Sequence, residues 1–578
     1  MSRRVLLISG TVLVLSALAL SLSACGGGAS AAPVGPAPSY TLTAAALNPG
    51  SMTAGNTSTS AISVTPADGY SGSVNLSCGN IAGGNAAPTC SFSTNPVVIT
   101  GTSAGTSTLT VSTSINTPGG SYAITVTGSD AKILAPSNGP QALTLTTAAV
   151  IQHIVVIFQE NRTPDNLFHD SNLISAGADI ATSGVNSLDQ TITLSPIDLG
   201  TAGSNPQTYD LDHSHTAFVS MYDGGLMNGA DQIHCSPAAN TTCPSNPQFM
   251  YVNPTDVAPY FALAEQYTFG DRMFQTNEGP SFPAHQFIIS GTSSPTATSD
   301  LFASENMSGG STAGCIALAG TTVELITPLG VESSSQYPCF EHATLTDLLD
   351  AAAISWRYYA PSAGSIWTAP DAINHICVPE TINNTLTCTG TDWTNNVIIP
   401  QWQVLQDIAN GRLPQVSWVI PDGAQSDHAE SNNGSGPSWV ASIVNEIGNS
   451  PYWANTAIII TWDDWGGWYD HVAPKVINDG VSWGSGYVYG FRVPLIAVSP
   501  YAKAAYISHT THDFGSILKF VETTFNLPSL GYADVPADDL SDCFNLTQTP
   551  ITFQKIPAPL DAAHFINDKS PPTDPDDD

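Results

Sequence analysis

Acidic and amide side chains follow two strongly apolar runs of the sequence, at the point where each run ends. Glu160 and Asn161 come after the first run, and Asp463 and Asp464 come directly after the second. Because the carboxyl ends of parallel strands meet at one edge of a sheet, we expect these side chains to lie together. Their carboxylates would repel one another unless a cation lies among them. The pattern therefore predicts a metal site; the alternative is that Glu160 caps a helix and the two aspartates begin a turn.

A serine lies in a segment rich in glycine and proline. Ser281 is preceded by Gly279 and Pro280 and followed by Pro283, a pattern that predicts a tight turn with the hydroxyl held outward. A serine hydroxyl is a poor nucleophile at its ordinary pKa, but coordination to a cation lowers that pKa and makes an alkoxide available. Ser281 is therefore a candidate nucleophile, with an ordinary turn serine as the alternative.

Four histidines are flanked by an acid or a hydroxyl residue, namely His213, His215, His428 and His471. Protonated histidines can hold anionic oxygens or give a proton to a leaving group. Histidines that are only solvated or structural would show the same flanking residues, so each of the four remains a candidate.

The elements that position these residues follow from the periodicity of the apolar residues. The runs 151–158, 457–462 and 493–498 are continuous and apolar, as expected for strands buried on both faces of a parallel sheet. Helical patterns lie between and after them, at 344–353, 402–410, 438–447 and 514–525. This alternation predicts an α/β fold with a mostly parallel sheet over residues 149–560.

Residues 40–148 have a different composition, in which Thr, Ser, Val and Gly dominate. Short alternating runs separated by turn residues predict about seven half-buried strands, which is typical of a β-sandwich. The segment resembles the immunoglobulin-like repeats of bacterial surface proteins. It contains no clustered acid, base or nucleophile, so we expect a spacer or a carbohydrate-binding module.

The two ends of the chain predict export and an acidic tail. Residues 1–25 resemble a bacterial lipoprotein signal, with basic residues, an apolar run and small residues before Cys25. Acylation of Cys25 would anchor the protein to a membrane at the cell envelope or cell surface; an uncleaved membrane anchor is the alternative. Residues 26–39 read as a flexible linker, and residues 561–578 as an acidic tail that we expect to be disordered.

Charge and cysteine spacing restrict the partners and the compartment. The chain of 578 residues has 13 Lys and Arg against 47 Asp and Glu, a formal net charge of −34, which argues against nucleic acid as a partner. Export permits disulfides, and short spacings suggest four pairs, with Cys543 left over. A metal–thiolate site is the alternative, but the sequence has no C-x-x-C pair. The suggested pairs are Cys78 with Cys90, Cys235 with Cys243, Cys315 with Cys339, and Cys377 with Cys388.

Taken together, the motifs resemble the bacterial phosphoesterase family over residues 153–527. This family includes phospholipases C specific for phosphocholine lipids and the respiratory-burst-inhibiting acid phosphatases. Each motif alone is weak, but their order along the chain is highly specific. The motifs are Glu160-Asn161-Arg162, Gly279-Pro280-Ser281-x-Pro283, Ser426-Asp427-His428 and Thr461-Trp462-Asp463-Asp464-x-Gly466-Gly467-x-x-Asp470-His471-Val472.

The resemblance implies an alkaline-phosphatase-like fold and a two-step phosphoryl transfer through a phosphoserine on Ser281. It also implies that the substrate is a phosphate ester, either a small molecule or a phospholipid head group. The metal would be calcium, magnesium, manganese, zinc or iron, and the sequence does not choose among them. The implied metal ligands are Glu160, Asn161, Ser281, Asp463 and Asp464; the implied acid/base residues are His215 and His428; and the implied substrate-binding residues are His213 and His471.

Two departures from the family pattern affect the expected specificity. Ala284 stands where many relatives carry Asn, so one contact to the substrate or the nucleophile is in doubt. Ser281 stands where the phospholipase branch has Thr, which favours a phosphatase or a broader phosphodiesterase over a strict phosphocholine phospholipase. A surface binding protein that retains an inactive hydrolase fold is the competing hypothesis.

Overall fold

The structure is a computed structural model that describes residues 35–573, apart from residues 80, 83–86, 116, 133–134, 201–202 and 478–487. The predicted signal segment with Cys25 and the last five residues of the acidic tail lie outside the described residues. The described part of that tail differs from the predicted disorder, because residues Ala562–Asn567 form a helix whose Phe565 is buried against Trp439. Within the described part of the chain, no helix is long and apolar enough to cross a membrane.

The N-terminal region folds into two β-sheets. Most of the longer strands alternate buried and exposed residues, and the apolar residues of both sheets share one core that includes Leu42, Val64, Val74 and Ile124. One sheet has the order β1-β3-β7-β5 and the other β2-β9-β8-β4-β6, where the strands are β1 Ser39–Ala44, β2 Ser51–Thr53, β3 Thr57–Ala67, β4 Gly72–Cys78, β5 Thr89–Phe92, β6 Val97–Ile99, β7 Gly105–Ser112, β8 Gly120–Ser129 and β9 Gln141–Ala148. The prediction of a β-rich region here is confirmed.

The remainder of the described chain is α/β, as predicted. Its strands are β10 His153–Gln159, β11 Ser183–Val185, β12 Thr191–Thr193, β13 Ser195–Ile197, β14 Tyr209–Leu211, β15 Cys235–Pro237, β16 Met250–Val252, β17 Thr268–Phe274, β18 Phe302–Ala303, β19 Val323–Ile326, β20 Glu332–Gln336, β21 Trp356–Tyr359, β22 Pro379–Ile382, β23 Thr385–Cys388, β24 Val397–Ile398, β25 Val416–Val419, β26 Thr456–Trp462, β27 Arg492–Val498, β28 Tyr506–Ser508 and β29 His512–Asp513. Its helices are α1 Pro164–Leu167, α2 Ser171–Ala176, α3 His215–Tyr222, α4 Ala258–Gln266, α5 Ser281–Ser290, α6 Leu345–Ala351, α7 Asn374–Cys377, α8 Thr391–Asn396, α9 Gln403–Ala409, α10 Gly436–Gly448, α11 Phe514–Phe525 and α12 Ala562–Asn567.

One large sheet organises this region, in the order β24-β21-β25-β10-β26-β27-β17-β28, with β29 beside β17. Strand β10 pairs in parallel with both β25 and β26, so the three strands end at the same edge. All seven residues of β26 are buried, as are all but the first of β10. Burying each aliphatic side chain contributes roughly 1.5–3 kcal/mol, which explains why these apolar runs occupy the centre of the sheet.

The third apolar run differs from the prediction in its direction. Strand β27 is fully buried but runs antiparallel to both of its neighbours, β26 and β17. Its carboxyl end therefore lies at the opposite edge from the ends of β10 and β26. The prediction of a mostly parallel sheet holds for the other pairings of this sheet.

The suggested cysteine pairs all form disulfides, and Cys543 is a buried free thiol. Because structural disulfides persist in oxidising compartments, these four fit a protein that folds outside the cytoplasm.

Candidate active site

Two neighbouring strands bring the first predicted acids together. Gln159 at the end of β10 lies opposite Trp462 at the end of β26, so the next residues of both strands leave the sheet side by side. The backbone N–H of Asn161 donates to Oδ1 of Asp463 over 2.9 Å. Glu160, Asn161 and Asp463 are fully buried at this edge.

A histidine that the motifs alone did not single out joins these acids. Nε2 of His285 lies 3.5 Å from Oε2 of Glu160 and 3.7 Å from Oδ2 of Asp463, and all three side chains are fully buried. One possible ligand atom from each residue lies within 4.8 Å of the other two. His285 follows Ser281 by four residues in α5, and this spacing places both on one helix face. That spacing is the sequence signal that would have found it.

Ser281 is the first residue of α5 and is fully buried. Its hydroxyl donates to Oδ2 of Asp464 over 3.0 Å, while Oδ1 of Asp464 accepts from the backbone N–H of Gly466 over 2.7 Å. The two adjacent aspartates therefore have different neighbours. Asp463 lies near Glu160 and His285, whereas Asp464 contacts the serine. Of the other predicted ligands, Asp464 thus contacts Ser281 directly, and the adjacent Asp463 lies near His285 of the same helix.

Asn161 connects the acids to a predicted histidine. Its backbone is left-handed, with φ 63°, which is uncommon for a residue other than glycine and recurs at functional sites. Its side-chain N–H donates to Nε2 of His213 over 3.1 Å, and its buried Oδ1 has no hydrogen-bond partner among the described residues. Gly466 has φ 60°, and a Cβ there would lie 2.4 Å from the carbonyl oxygen of Asn161. Glycine at this position therefore permits the close approach.

His213 and His428 lie beside each other next to Asn161, with ring centroids 6.2 Å apart. Nδ1 of His213 lies 2.8 Å from the Leu211 carbonyl oxygen and donates to it, so Nε2 is left to accept from Asn161. Nδ1 of His428 lies 2.7 Å from the Ala429 carbonyl oxygen. Nε2 of His428 is buried and has no hydrogen-bond partner within the described ranges, so a ligand could bind it.

Asp427, the residue before His428, belongs to a buried hydrogen-bond network that holds this loop in place. The side-chain donors of Tyr260 and Trp462 reach Oδ2 of Asp427 over 2.8 and 3.0 Å. The guanidinium of Arg162 donates to the Asp427 carbonyl oxygen. Burial raises the pKa of the Asp427 carboxyl to about 6, partly offset by Arg162. These contacts fix His428 at the strand edge.

His215 lies at the start of α3, against the turn that precedes Ser281. Its Nδ1 is 2.9 Å from the carbonyl oxygen of Glu278, and its Nε2 is 3.3 Å from that of Gly330. Burial raises the pKa of Glu278 to about 8, so this carboxyl is largely protonated at neutral pH. His215 is therefore placed beside the nucleophile's turn rather than beside the acids at the strand edge.

His471 lies in a different cluster from the other predicted site residues. Its Nδ1 is 2.7 Å from Oδ2 of Asp165 and its Nε2 is 3.0 Å from Oδ1 of Asp179. Arg492 is fully buried beside it and pairs with Asp165 and with Asp470. The hydrogen-bond partners of His471 are therefore Asp165, Asp179 and Arg492, and ion pairs hold this cluster together.

Replacing His471 by asparagine is expected to remove a pH-dependent part of the stability. The pKa of His471 is raised from 6.5 to about 9; burial opposes this shift, but the hydrogen bond to Asp165 and the negative charges of Asp165 and Asp470 together outweigh burial. The stabilisation is therefore fully present below the unfolded pKa of about 6.5 and is lost as the pH rises through about 9. We expect His471→Asn to lower the free energy of unfolding by about 2 kcal/mol at pH 6 and by less at pH 9.5, as measured by chemical denaturation.

The matched control is His564→Asn, because His564 is exposed in the short helix α12. Its loss should leave the pH profile of stability unchanged. A deficit for His471→Asn that stayed constant from pH 6 to pH 9.5 would contradict the assigned ion pair.

The donor set at the strand edge fits a cation. Oδ1 of Asn161 and Oδ2 of Asp463 are buried acceptors with no hydrogen-bond donor among the described residues. Together with Glu160 and His285 they offer oxygen atoms and one imidazole nitrogen, which suit calcium, magnesium, manganese, zinc or iron. Buried acceptors of this kind are costly unless a donor or a cation occupies the site. The structure therefore supports metal use but does not identify the metal.

Comparisons with known proteins give the family of this chain. A model of the phosphoesterase family matches residues 151–528. Hemolytic phospholipase C of Pseudomonas aeruginosa is 25% identical over 420 residues, which cover 65% of this chain and 53% of that protein. Phospholipase C B of Mycobacterium tuberculosis is 25% identical over 446 residues, which cover 69% of this chain and 78% of that protein.

Among solved structures, a protein of the alkaline phosphatase superfamily from Vibrio parahaemolyticus shares 10% identity over 68% of this chain and 70% of its own, with a TM-score of 0.29. The chain spans about half the length of the first phospholipase, 53%, so that relative's whole activity does not transfer to it. The family match covers more than half of the chain, including every residue gathered at the strand edge. On this basis the chain belongs to the phosphoesterase family, a family of hydrolases that act on phosphoric ester bonds.

Proposed function

We propose that this protein is a metal-dependent phosphoesterase that cleaves phosphate esters through a phosphoserine on Ser281. The observation that carries the proposal is the hydrogen bond from the buried Ser281 hydroxyl to Asp464, whose neighbour Asp463 lies with Glu160 and His285. A nucleophile, a carboxylate that can orient it and a cation-binding donor set thus occur at one strand edge. An alkaline-phosphatase-like arrangement of the large sheet is part of this proposal.

In the proposed reaction, Ser281 is the nucleophile and His428 is the general acid. A bound metal ion would supply positive charge that favours the Ser281 alkoxide and the charge developing on the phosphoryl oxygens. Ser281 Oγ passes its proton to Oδ2 of Asp464, which accepts its hydrogen bond, and forms a bond to phosphorus while the bond from phosphorus to the leaving alcohol breaks. His428 gives a proton to the leaving oxygen from Nε2, which the structure leaves unpaired among the described residues. Water then hydrolyses the phosphoserine and restores the serine.

The other histidines are assigned by their surroundings. His213 holds the Asn161 side chain, and His215 braces the turn before the nucleophile, with its Nδ1 2.9 Å from the Glu278 carbonyl oxygen and 3.7 Å from Oε2 of the Glu278 carboxyl group. We retain His215 as a second acid/base residue and His213 as a phosphate-binding residue. His471 supports the site indirectly, since its contacts go to Asp165 and Asp179.

The substrate class we propose is a phosphate ester, including the head group of a phospholipid, because the similar curated proteins are phospholipases C. The deciding experiment is a screen of purified full chain against aryl phosphomonoesters, lipid phosphodiesters and sugar phosphates with different metals. Turnover of one class with a metal dependence supports the proposal. No turnover of any class with any metal would contradict it and favour an inactive binding protein.

His285→Gln tests the metal part of the proposal without relying on activity. Removing the imidazole takes away one of the donors near Glu160 and Asp463, so we expect metal affinity to fall about 10- to 100-fold. Metal content after dialysis against graded chelator would measure this. His342→Gln is the matched control, because His342 is a buried histidine that bonds Ser290 at the far end of α5. Equal metal retention by both variants would count against His285 as a ligand.

We also propose that the protein is exported and attached to the envelope through lipid on Cys25. The N-terminal sheets would then act as an immunoglobulin-like spacer or carbohydrate-binding module ahead of the catalytic region, residues 149–560. Their continuous apolar core, separate from the core of the large sheet, supports an independent module.

A further inference from the structure

A buried asparagine outside the predicted motifs contacts the residue next to the nucleophile. Asn306 is only 6% exposed, and its Oδ1 accepts a hydrogen bond of 2.9 Å from the backbone N–H of Phe282. Phe282 follows Ser281 directly in the first turn of α5. The carboxamide of Asn306 is therefore held against the start of the nucleophile's helix.

The contact with Phe282 determines the orientation of the Asn306 carboxamide. A backbone N–H can only donate, so the oxygen of Asn306 must face it and the NH₂ group must face elsewhere. This NH₂ group is buried and has no hydrogen-bond partner among the residues that the structure describes. Leaving a buried amide donor unpaired is costly, and such donors are expected to meet a ligand.

Packing holds the Asn306 segment in this position. A Cβ on Gly279 would lie 2.1 Å from the carbonyl oxygen of Ser304, so the chain just before Asn306 lies directly against the turn before Ser281. The backbone N–H of Ser304 also donates to the Glu324 carbonyl oxygen over 2.9 Å. One turn after the serine, the helix presents Ala284, which has no donor, and His285, whose Nε2 lies near Glu160 and Asp463.

We infer that the side-chain NH₂ of Asn306 donates a hydrogen bond to a non-bridging oxygen of the phosphoryl group that Ser281 attacks. This assignment rests on the proposed function. The donor is preorganised because Phe282 holds its carboxamide before any substrate arrives, and a preorganised donor stabilises charge that develops in the transition state. The ligand chemistry is that of a tetrahedral oxyanion, either a phosphate ester or free phosphate.

The test uses the full-length, metal-loaded protein and two substitutions. Asn306→Asp keeps an oxygen for the Phe282 N–H but replaces the donor by an acceptor, whereas Asn306→Ala removes both. We expect each to lower kcat/KM for an aryl phosphate about 100-fold, mainly through kcat. We expect each to weaken binding of inorganic phosphate, measured by calorimetry, about 10-fold or more.

Asn445→Ala is the matched control, because Asn445 is also buried but both ends of its carboxamide bond to Ile556. We expect the Asn445→Ala protein to be less stable than the wild type but to have the same phosphate affinity and kcat/KM. If Asn306→Ala does not fold, Asn306→Asp carries the test, since it keeps the contact to Phe282. An Asn306→Asp protein that bound phosphate and turned over ester at the wild-type level would overturn the inference alone. A wild-type protein that neither bound phosphate nor cleaved any ester would instead overturn the proposed function.

Discussion

Ser281→Ala is expected to abolish ester hydrolysis, with kcat/KM for aryl phosphates falling by about 10⁴-fold or more. The hydroxyl is the attacking group in the proposed mechanism, and its partner Asp464 cannot replace it. Steady-state phosphate release measures the loss. Acid quench during turnover followed by mass spectrometry should find a phosphorylated peptide containing residue 281 in the wild type and none in the variant.

Ser290→Ala is the control from the same helix. Ser290 ends α5 and is fully buried, but its hydroxyl donates to the carbonyl oxygens of Gln286 and Thr292. We expect its loss to cost stability and to leave kcat/KM within a few-fold of the wild type. Release of phosphate by Ser281→Ala at the wild-type rate would end the nucleophile assignment, whereas equal losses in both variants would indicate a general effect on α5.

Three strands and four helices of the α/β region were predicted from the sequence, because the burial of these elements requires a recognisable pattern of apolar residues. The runs that form β10 and β26 consist mainly of apolar residues, and the pattern at 514–525 has the same bounds as α11. Strand direction leaves no such pattern. β27 is as apolar as its neighbours because it too is covered on both faces, yet it runs the other way.

The residues of the candidate site could be predicted where they belong to a sequence motif. An isolated residue that reaches the site only through tertiary packing could not be predicted. Glu160 and Asp463 follow apolar strands, so their meeting could be expected from the sheet alone. His285 could have been found from its spacing to Ser281 within one helix. Asn306 could not, because its position depends on how the segment around Ser304 packs against Gly279, and nothing in the residues near 306 indicates that contact.

Replacing both Asp463 and Asp464 by asparagine is expected to remove the metal and the activity together. Asparagine keeps the shape of each side chain but removes two negative charges from a fully buried site. Metal binding supplies several kcal/mol of transition-state stabilisation in such enzymes, so we expect kcat/KM to fall about 10³-fold or more. Elemental analysis of dialysed protein should show metal in the wild type and little in the double variant, and chelation of the wild type should reproduce the loss.

The matched control is Asp513→Asn, another buried aspartate, which caps α11 and whose pKa burial raises to about 7. Because that carboxyl is already partly neutral near pH 7, asparagine should retain most of its contacts, and metal content and kcat/KM should stay close to the wild type. Full metal content in the Asp463 and Asp464 double variant would show that the cation is held elsewhere.

The single variants separate the roles of the two aspartates, because Asp464 also accepts the Ser281 hydrogen bond. We expect Asp463→Asn to lower mainly the metal affinity. We expect Asp464→Asn to lower kcat even when metal is saturating.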